Sequence, residues 1–405
     1  MKEELTLLEA KELINYIIDN NVKLKEAGKK PTAVEILGEA GLGKTSIIEQ
    51  IAEERGALCV KLCLSELEEV GDLCGVPITE YYICKGVGKD EECMWVTKDL
   101  VDYYIKAGWG MKSAESRMSY AIPAWVPQDP EQECILLLDD YSRAEPRFLQ
   151  ATMTLIDRGE YLSWKLPKNT HIILSSNPDN GDYSVSSLDT AQKSRYISLN
   201  VGWDVKVWSK WAEENEIDNR AINFALTYPE IFDKKGNKQE VNGRSYVTFA
   251  NAISGIDDWS QSKNLGMILN IASGCFDSDD NIVGNLFTTF IANKLDKLIS
   301  PEDMLYKDWE ELQKEMESQV YDGANYRPDI AATLSLRFLN YIEYQFKKGG
   351  TKSDIAVRRI IDFLDCEKTL LAEDLLFSLV KTLHKNFPTR CAKLLMNPKV
   401  IKYLM

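Results

Sequence analysis

The sequence predicts an α/β domain built on a parallel sheet, followed by an α-helical part that reaches the end of the chain. Three observations support this fold class. Short apolar runs alternate with helical patterns up to Gly202, as in strand–helix–strand units. The run at 134–138 is continuously apolar, as expected of a central parallel strand buried on both faces. Beyond Gly202, apolar residues recur at helical spacing and few strand signals remain.

The elements can be assigned in chain order from apolar spacing and turn residues. An amphipathic helix is predicted over 4–27, and residues 28–31 end it. Further predicted elements are strands at 33–37, 57–62, 134–138, 171–175 and 196–201, helices at 45–54 and 146–158, and an alternating strand at 160–165. The region 65–131 is less regular, with a turn expected at 88–91 and mostly helix over 100–119.

The composition limits the function classes. The 405 residues suffice for two or three domains, and 48 basic against 63 acidic residues give a net charge of −15. Because a grip on the nucleic-acid backbone needs clustered Lys and Arg, this charge argues against nucleic acid as a partner. The sequence contains neither a signal-peptide pattern nor an apolar run of about 18 residues. We therefore expect a cytoplasmic protein without a membrane span.

The cysteines and histidines argue against a metal centre built from them. None of the nine Cys belongs to a C-x-x-C pair, and the two His, His171 and His384, lie far apart in the sequence. Reduced, mostly buried thiols are the expectation for such a chain inside a cell.

Residues 38–45 satisfy the pattern G-x-x-x-x-G-K-[S/T] of a phosphate-binding loop, or P-loop. The glycines let backbone N–H groups close around phosphate oxygens, Lys44 adds a positive charge, and the Thr45 hydroxyl can coordinate Mg²⁺. The loop lies between a predicted strand and a predicted helix, whose amino terminus favours an anion. The predicted nucleotide-binding residues are Gly38, Glu39, Ala40, Gly41, Leu42, Gly43, Lys44, Thr45 and Ser46.

Polar residues follow two further predicted strands. Asp139 ends the apolar run, where a carboxylate beside the phosphate loop can hold Mg²⁺ together with Thr45. Asp140 follows and is placed to polarise the attacking water. Asn177 comes after the next strand, where its amide can contact the γ-phosphate or orient the water. A solvated turn after a strand is the alternative interpretation of each position.

Taken in order, these motifs and Arg195 resemble an AAA+ ATPase. Residues 139–147, with a carboxylate pair before Arg-Ala, and residues 166–178, with a Leu-Pro turn before a strand that ends in Asn-Pro, resemble the MoxR branch. The likeness spans residues 30–255. It implies a P-loop AAA+ fold: a parallel five-stranded sheet flanked by helices, then an α-helical lid and an α-helical C-terminal region. The motifs do not distinguish ATP from GTP, but the resemblance implies ATP.

The resemblance assigns roles to two arginines. It implies that Arg195 is an arginine finger, which stabilises transition-state charge at the γ-phosphate of a neighbouring subunit. It implies that Arg244 is a sensor arginine at the start of a lid helix. The predicted catalytic residues are therefore Asp140, Asn177, Arg195 and Arg244. From the residues alone, an exposed surface arginine is the other interpretation of Arg195.

The resemblance also implies a domain organisation and partners. The predicted parts are an N-terminal helix at 1–30, the AAA+ domain at 31–202 with an insert at 65–131 and a β-hairpin at 157–170, the lid at 203–298, and a C-terminal domain at 299–405. A ring oligomer, expected to be a hexamer, would remodel or assemble partner proteins. Proteins of the MoxR branch often work with a partner that carries a von Willebrand factor A domain.

Asp140 departs from the family, which usually has Glu at this position. Because Asp is one methylene shorter, we expect slower hydrolysis or a shift of the backbone that compensates. A nucleotide-gated scaffold with weak hydrolysis is therefore one alternative function. A clamp-loader-like ATPase of DNA replication is another, and the net charge of −15 argues against it.

Overall fold

The computed structural model describes residues 4–86, 91–179, 190–233, 241–276, 282–349, 353–396 and 400. The chain divides into two compact units, Met1–Gly202 and Trp203–Met405. The first unit contains a five-stranded parallel sheet with helices around it, and the second is mostly helical. The predicted fold class is confirmed. None of the helices in the described ranges is long and apolar enough to cross a membrane.

The first unit alternates strands and helices. Its elements in chain order are α1 (Leu7–Glu26), β1 (Ala33–Leu37), α2 (Lys44–Arg55), β2 (Leu58–Cys63), α3 (Val70–Cys74), β3 (Pro77–Lys85), β4 (Glu92–Thr97), α4 (Lys98–Lys106), β5 (Gly110–Tyr120), β6 (Cys134–Asp139), α5 (Pro146–Arg158), β7 (Glu160–Tyr161), β8 (Trp164–Lys165), β9 (Thr170–Ser176), α6 (Thr190–Lys193) and β10 (Tyr196–Asn200). The predicted helices and strands of the main sheet are present within one or two residues of their expected ends, except that α1 begins three residues later than predicted.

The five-stranded sheet has the order β10-β1-β9-β6-β2, and all its pairs are parallel. In register, Leu37 lies opposite both Ser176 and Asn200, and Cys63 lies opposite Asp139. The carboxyl ends of all five strands therefore meet at one edge. Ligands of open α/β sheets bind at this edge, so residues that directly follow the strands lie where chemistry is expected.

Both faces of this sheet are covered, which explains the continuously apolar strand. Ile135 and Leu137 of β6 pack on one face in a core with residues of α1 and α2. Leu136 and Leu138 point to the other face and pack in a core with residues of α5. Alternate side chains of a strand point to opposite faces, so a strand buried on both sides must be apolar throughout.

The insert departs from the predicted helix. Residues 100–119 are helical only up to Lys106, and Gly108 then adopts a φ of +87°. Met, Lys, Ala and Glu in 110–120 favour helix locally. Pairing with β3 overrides that preference and makes this segment strand β5, in an antiparallel sheet of order β4-β3-β5. The expected turn at 88–91 lies largely outside the described residues, and the segment 160–165 is the hairpin β7–β8.

The expectation of reduced thiols is wrong at one pair. Cys84 and Cys93 form a disulfide that joins β3 to β4, while the other cysteines are free. The two residues lie directly opposite each other in the antiparallel pair, with Cα atoms 4.1 Å apart. Such proximity comes from strand register, which the sequence spacing of these cysteines does not reveal.

The second unit is a helical assembly around one hydrophobic core. Its elements are α7 (Val205–Glu214), α8 (Asn219–Thr227), α9 (Gly243–Ile253), α10 (Ser262–Cys275), α11 (Ile282–Ala292), α12 (Pro301–Tyr306), α13 (Trp309–Val320), β11 (Tyr321–Asp322), β12 (Asn325–Tyr326), α14 (Pro328–Lys348), α15 (Ser353–Asp365) and α16 (Glu373–Asn386). Helix α14 ends at Lys348, where Gly349 has a φ of +71°.

A buried arginine links three helices of the second unit. Arg337 on α14 is fully buried, and its Nε donates to Glu213 Oε1 of α7 at 2.7 Å. Its Nη1 donates to Asn223 Oδ1 of α8 at 2.8 Å, and its Nη2 donates to Asn219 Oδ1. A buried charge is tolerated when such partners satisfy it. The long helix α14 is thereby fixed against α7 and α8.

Strand β9 carries a buried histidine. His171 is 3% exposed, and its Nε2 lies 3.7 Å from Glu133 Oε1. Burial lowers its pKa from the ordinary value of 6.5 to about 4, and the positive charges of Lys25 and Arg55 add to this effect. The folded protein therefore holds the ring neutral at physiological pH.

We predict that the free energy of unfolding falls as the pH is lowered from 6.5 to about 4. The unfolded chain takes up a proton at His171 near pH 6.5, whereas the folded protein takes it up only near pH 4, so acid favours unfolding in this window. The contribution is on the order of 1–3 kcal/mol. Urea unfolding of the wild type and of His171→Asn at a series of pH values measures it.

His384→Asn is the matched control, because it removes the only other histidine. This variant should keep the pH dependence of the wild type, whereas His171→Asn should lose part of it. An unchanged pH dependence in His171→Asn would show that burial of this ring does not set the acid stability.

Candidate functional site

The backbone conformation of the loop between β1 and α2 depends on its glycines. Gly41 and Gly43 have φ values of +78° and +91°, which favour glycine. Gly38 N donates to Ser176 O of β9 at 3.2 Å, which fixes the start of the loop to the sheet. Helix α2 begins at Lys44, directly after the loop. Backbone N–H groups and the helix amino terminus thus offer an anion a site at the carboxyl edge of the sheet.

Lys44 is folded back onto its own loop. The side chain is buried, and its Nζ donates to Gly38 O at 2.7 Å, to Glu39 O at 2.8 Å and to Asn177 Oδ1 at 3.0 Å. A buried ammonium group needs acceptors of this kind. The predicted phosphate-binding lysine and the predicted Asn177 therefore meet, although 133 positions separate them in the sequence.

Thr45 and Asp139, the two predicted Mg²⁺ ligands, are also in contact. Thr45 Oγ1 donates to Asp139 Oδ1 at 3.0 Å and lies 3.2 Å from Oδ2. Thr45 stands in the first turn of α2, and Asp139 ends β6. A hydroxyl and a carboxylate at the edge of a phosphate site match the oxygen ligands that Mg²⁺ prefers.

One residue in contact with Asp139, Lys61, was not predicted from the sequence. Lys61 Nζ on β2 lies 3.1 Å from Asp139 Oδ2. Partial burial lowers the pKa of Lys61, but the hydrogen bond and charge of Asp139 and the charge of Glu49 outweigh it, so the pKa is raised. The signal in the sequence was a single charged residue inside the apolar run at 57–62. The carboxylate opposite it became visible only when β2 paired with β6.

Asp140 lies at a sharp turn after β6. Its backbone is left-handed, with φ 49° and ψ 36°, and its carbonyl accepts from Arg143 N at 2.9 Å. Asn177 Nδ2 donates to Asp140 Oδ1 at 3.3 Å. Asn177 is in turn held by Ser142, whose Oγ accepts from Asn177 N at 3.0 Å and lies 3.3 Å from Asn177 O. Asp140, Asn177 and Lys44 thus form one connected polar group.

Arg195 lies at the opposite edge of the sheet. It directly precedes β10, whose first residue Tyr196 is in register with Ala33, the first residue of β1. The phosphate-binding loop follows the other end of β1, about 16 Å away for a strand of this length. Arg195 Nη1 donates to Ala191 O. Within one chain, Arg195 therefore does not join the cluster around Lys44.

Arg244 belongs to the second unit. It follows Gly243 in the first turn of α9, a helix capped by Asn242, whose side chain accepts from Ser245 N at 3.0 Å. The side chain of Arg244 is exposed. Its contact with a nucleotide stays a prediction.

No family model matches the sequence, and no curated protein matches it. Solved structures with detectable similarity include three of RuvB from Thermotoga maritima, two of them point mutants and one described as a Holliday junction branch migration motor. The first mutant is 14% identical with a TM-score of 0.33, over 84% of this chain and 88% of that chain. The second mutant (13%, TM-score 0.32) and the motor (13%, TM-score 0.33) each match over 84% of this chain and 87% of theirs.

We predict that Gly38→Ala damages both the fold and the loop. A Cβ at Gly38 would lie 2.6 Å from Val201 O, a backbone atom, and 2.7 Å from Leu42 Cδ1. Because strand and loop would have to move apart, the free energy of unfolding should fall by about 1–3 kcal/mol. Denaturant unfolding and a nucleotide-binding titration measure the two effects.

Gly71→Ala is the control for this substitution. Its added Cβ would meet Val76 Cγ1 at 3.6 Å, an ordinary contact, and Gly71 lies within α3 in the same unit. Wild-type stability in both variants would show that the loop does not need the close approach of Gly38 to Val201.

Proposed function

We propose that this chain is an ATPase of the AAA+ class that binds ATP with Mg²⁺ and hydrolyses it as an oligomer. The observation that supports the proposal most is the convergence of Lys44, Thr45, Asp139 and Asn177 at the carboxyl edge of the parallel sheet. Lys44 bonds to Asn177 and Thr45 bonds to Asp139, and each hydrogen-bonded pair joins elements that are distant in sequence, beside a glycine loop that can take phosphate.

The chemistry of the cluster follows from its side chains. Lys44 would exchange its bonds to loop carbonyls for bonds to phosphate oxygens, which offer full negative charge. Thr45 and Asp139 would hold Mg²⁺, and the bound ion would neutralise charge on the phosphates. Asp140 would accept a hydrogen bond from the attacking water and so polarise it. Asn177, fixed by Ser142, would orient that water or the γ-phosphate.

Arg195 supports an oligomer in this proposal. An arginine about one strand length from the phosphate loop of its own chain cannot reach that nucleotide. A neighbouring subunit in a head-to-tail ring can bring its Arg195 to the γ-phosphate, where an arginine finger stabilises the transition state. The hexameric ring stays a prediction from the family resemblance.

The more specific part of the proposal is a MoxR-like role. The residues 139–147 and 166–178 support it, and they imply an ATPase that remodels or assembles a protein client. A client with a von Willebrand factor A domain follows from the same resemblance. The net charge of −15 continues to argue against a DNA-directed role.

A nucleotide-gated scaffold is the second candidate, and Asp140 favours it. Its short side chain accepts from Asn177 Nδ2, so one of its carboxylate oxygens is already engaged. The left-handed backbone at this position suits Asp better than most other residues. Such a carboxylate reaches less far toward a water than Glu would.

We predict that Lys44→Ala and Arg195→Ala are each inactive alone but restore activity when mixed. Lys44→Ala lacks a working phosphate site but keeps Arg195, whereas Arg195→Ala keeps the site and lacks the finger. In random rings about a quarter of the interfaces would combine an intact site with an intact arginine. Steady-state phosphate release from Mg²⁺-ATP, measured against protein concentration, is the assay.

Arg158→Ala is the control, because Arg158 is an exposed arginine of the same unit. It should keep wild-type turnover, while Arg195→Ala should lose it by on the order of 10³-fold. Inactivity of the mixture, together with activity that does not depend on protein concentration, would overturn the shared site.

We predict that Asp140→Asn lowers phosphate release by about 10²–10⁴-fold and leaves nucleotide affinity nearly unchanged. The reason is that the amide cannot accept a proton from water, while Lys44 and Thr45 keep their roles in binding. Single-turnover hydrolysis and a titration with ADP separate the two effects. If the wild type releases phosphate no faster than Asp140→Asn, the scaffold is the better description.

A further inference from the structure

The pair formed by Lys61 and Asp139 has no part in the function proposed so far. Lys61 Nζ lies 3.1 Å from Asp139 Oδ2, and Thr45 Oγ1 donates to Oδ1 of the same carboxylate at 3.0 Å. Both oxygens of the predicted Mg²⁺ ligand are therefore engaged by groups of the chain itself. One of these groups carries a full positive charge.

The position of Lys61 allows its ammonium group to leave the carboxylate of Asp139. Lys61 lies on β2, an edge strand, and it is in register with Leu137, two residues before Asp139. Its side chain therefore extends along the sheet toward the carboxyl edge. It is 45% exposed, whereas the side chain of Asp139 is 13% exposed. A lysine has a flexible four-carbon stem, so its ammonium can leave the carboxylate for solvent or phosphate without a change of the backbone.

The charges around the loop explain why such a cation is useful. Asp139 and Asp140 place two carboxylates where the phosphates of a nucleotide must enter. Lys44 donates to Asn177 and to carbonyls of the loop. Among the described side chains, Lys61 is the cation that forms an ion pair with Asp139. Without it, phosphate would approach a partly buried carboxylate that has lost the ammonium group paired with it.

We propose that Lys61 acts as the resident counter-ion of Asp139: it competes with Mg²⁺ for this carboxylate and sustains nucleotide binding when no metal is present. This inference rests on the proposed function, because it assumes that Asp139 is a ligand of Mg²⁺. Two cations cannot occupy the same face of one carboxylate, so metal entry requires that Lys61 move away. Lys61 is thus a positioning residue that sets how strongly nucleotide binding depends on metal.

The test is a titration of the full chain with ADP, which avoids hydrolysis. Calorimetry gives the Kd for ADP in excess EDTA and in saturating Mg²⁺, for the wild type and for Lys61→Met. A second titration, of Mg²⁺ at saturating ADP, gives the half-saturating metal concentration. Met keeps the length of the side chain and removes the charge.

Two opposite effects are expected in Lys61→Met. In EDTA the Kd for ADP should rise by about five- to tenfold, because the carboxylate then repels the phosphates. In the metal titration the half-saturating Mg²⁺ concentration should fall by a similar factor of about five- to tenfold, because the competing cation is gone. Both effects should shrink at high ionic strength, since Lys61 is partly exposed.

Two further variants separate charge from structure. Lys61→Arg keeps the charge and should retain most of the metal-free binding. Lys165→Met removes an exposed lysine that pairs with Glu160 on the β7–β8 hairpin, and it should behave as the wild type. Thermal unfolding of each variant without ligand reports any loss of fold.

The outcomes decide between the hypotheses. Wild-type values of both Kd and half-saturating Mg²⁺ in Lys61→Met would overturn the counter-ion role and leave the proposed function intact. A lower unfolding temperature with an unchanged metal dependence would likewise show that the pair is only structural. If the wild type binds no ADP even in Mg²⁺, the proposed function itself fails, and the role of Lys61 fails with it.

Discussion

The rest of the first unit depends on one constraint, the parallel pairing of all strands in the main sheet. Strand β1 pairs with β9 and β10, and β6 pairs with β9 and β2. Because every strand points the same way, residues that follow different strands meet at one edge. The glycine loop follows β1, the carboxylates follow β6, and Asn177 follows β9. Their encounter needs no long side chains, since the strands themselves carry the residues to the same place. Helices on both faces then bury the sheet and fix its register.

At the carboxyl edge of the sheet, the charged side chains are paired with polar or charged groups of the chain itself. Lys44 is satisfied by carbonyls and by Asn177, and Asp139 is satisfied by Thr45 and Lys61. A site balanced in this way is ready to exchange each internal partner for a ligand group of the same kind, phosphate for the carbonyls and metal for the lysine. The Asp residue at position 140 also has a local reason. A left-handed backbone accommodates Asp more readily than residues with longer side chains.

Arg195 is the residue that would link this site to a larger assembly in the proposed function. Arg195 directly precedes β10, which borders β1, so its distance from the loop is set by the length of that strand. In the proposed function, an arginine at that place acts on the nucleotide of a neighbouring subunit rather than on that of its own chain. The second unit has its own core and its own buried ion pair, Arg337 with Glu213, which ties α14 to α7.

The sequence by itself determined the features whose cause is local. The glycine loop of 38–45, the apolar run before Asp139 and the strand before Asn177 each depend on residues that are neighbours in the chain, so candidate phosphate and metal ligands could be proposed from them. Tertiary pairing decided the rest. Strand β5 formed against its local helix preference because β3 offered backbone partners, and the disulfide of Cys84 with Cys93 arose from antiparallel register. Lys61 reaches Asp139 because β2 lies beside β6, a neighbour that spacing along the chain does not specify.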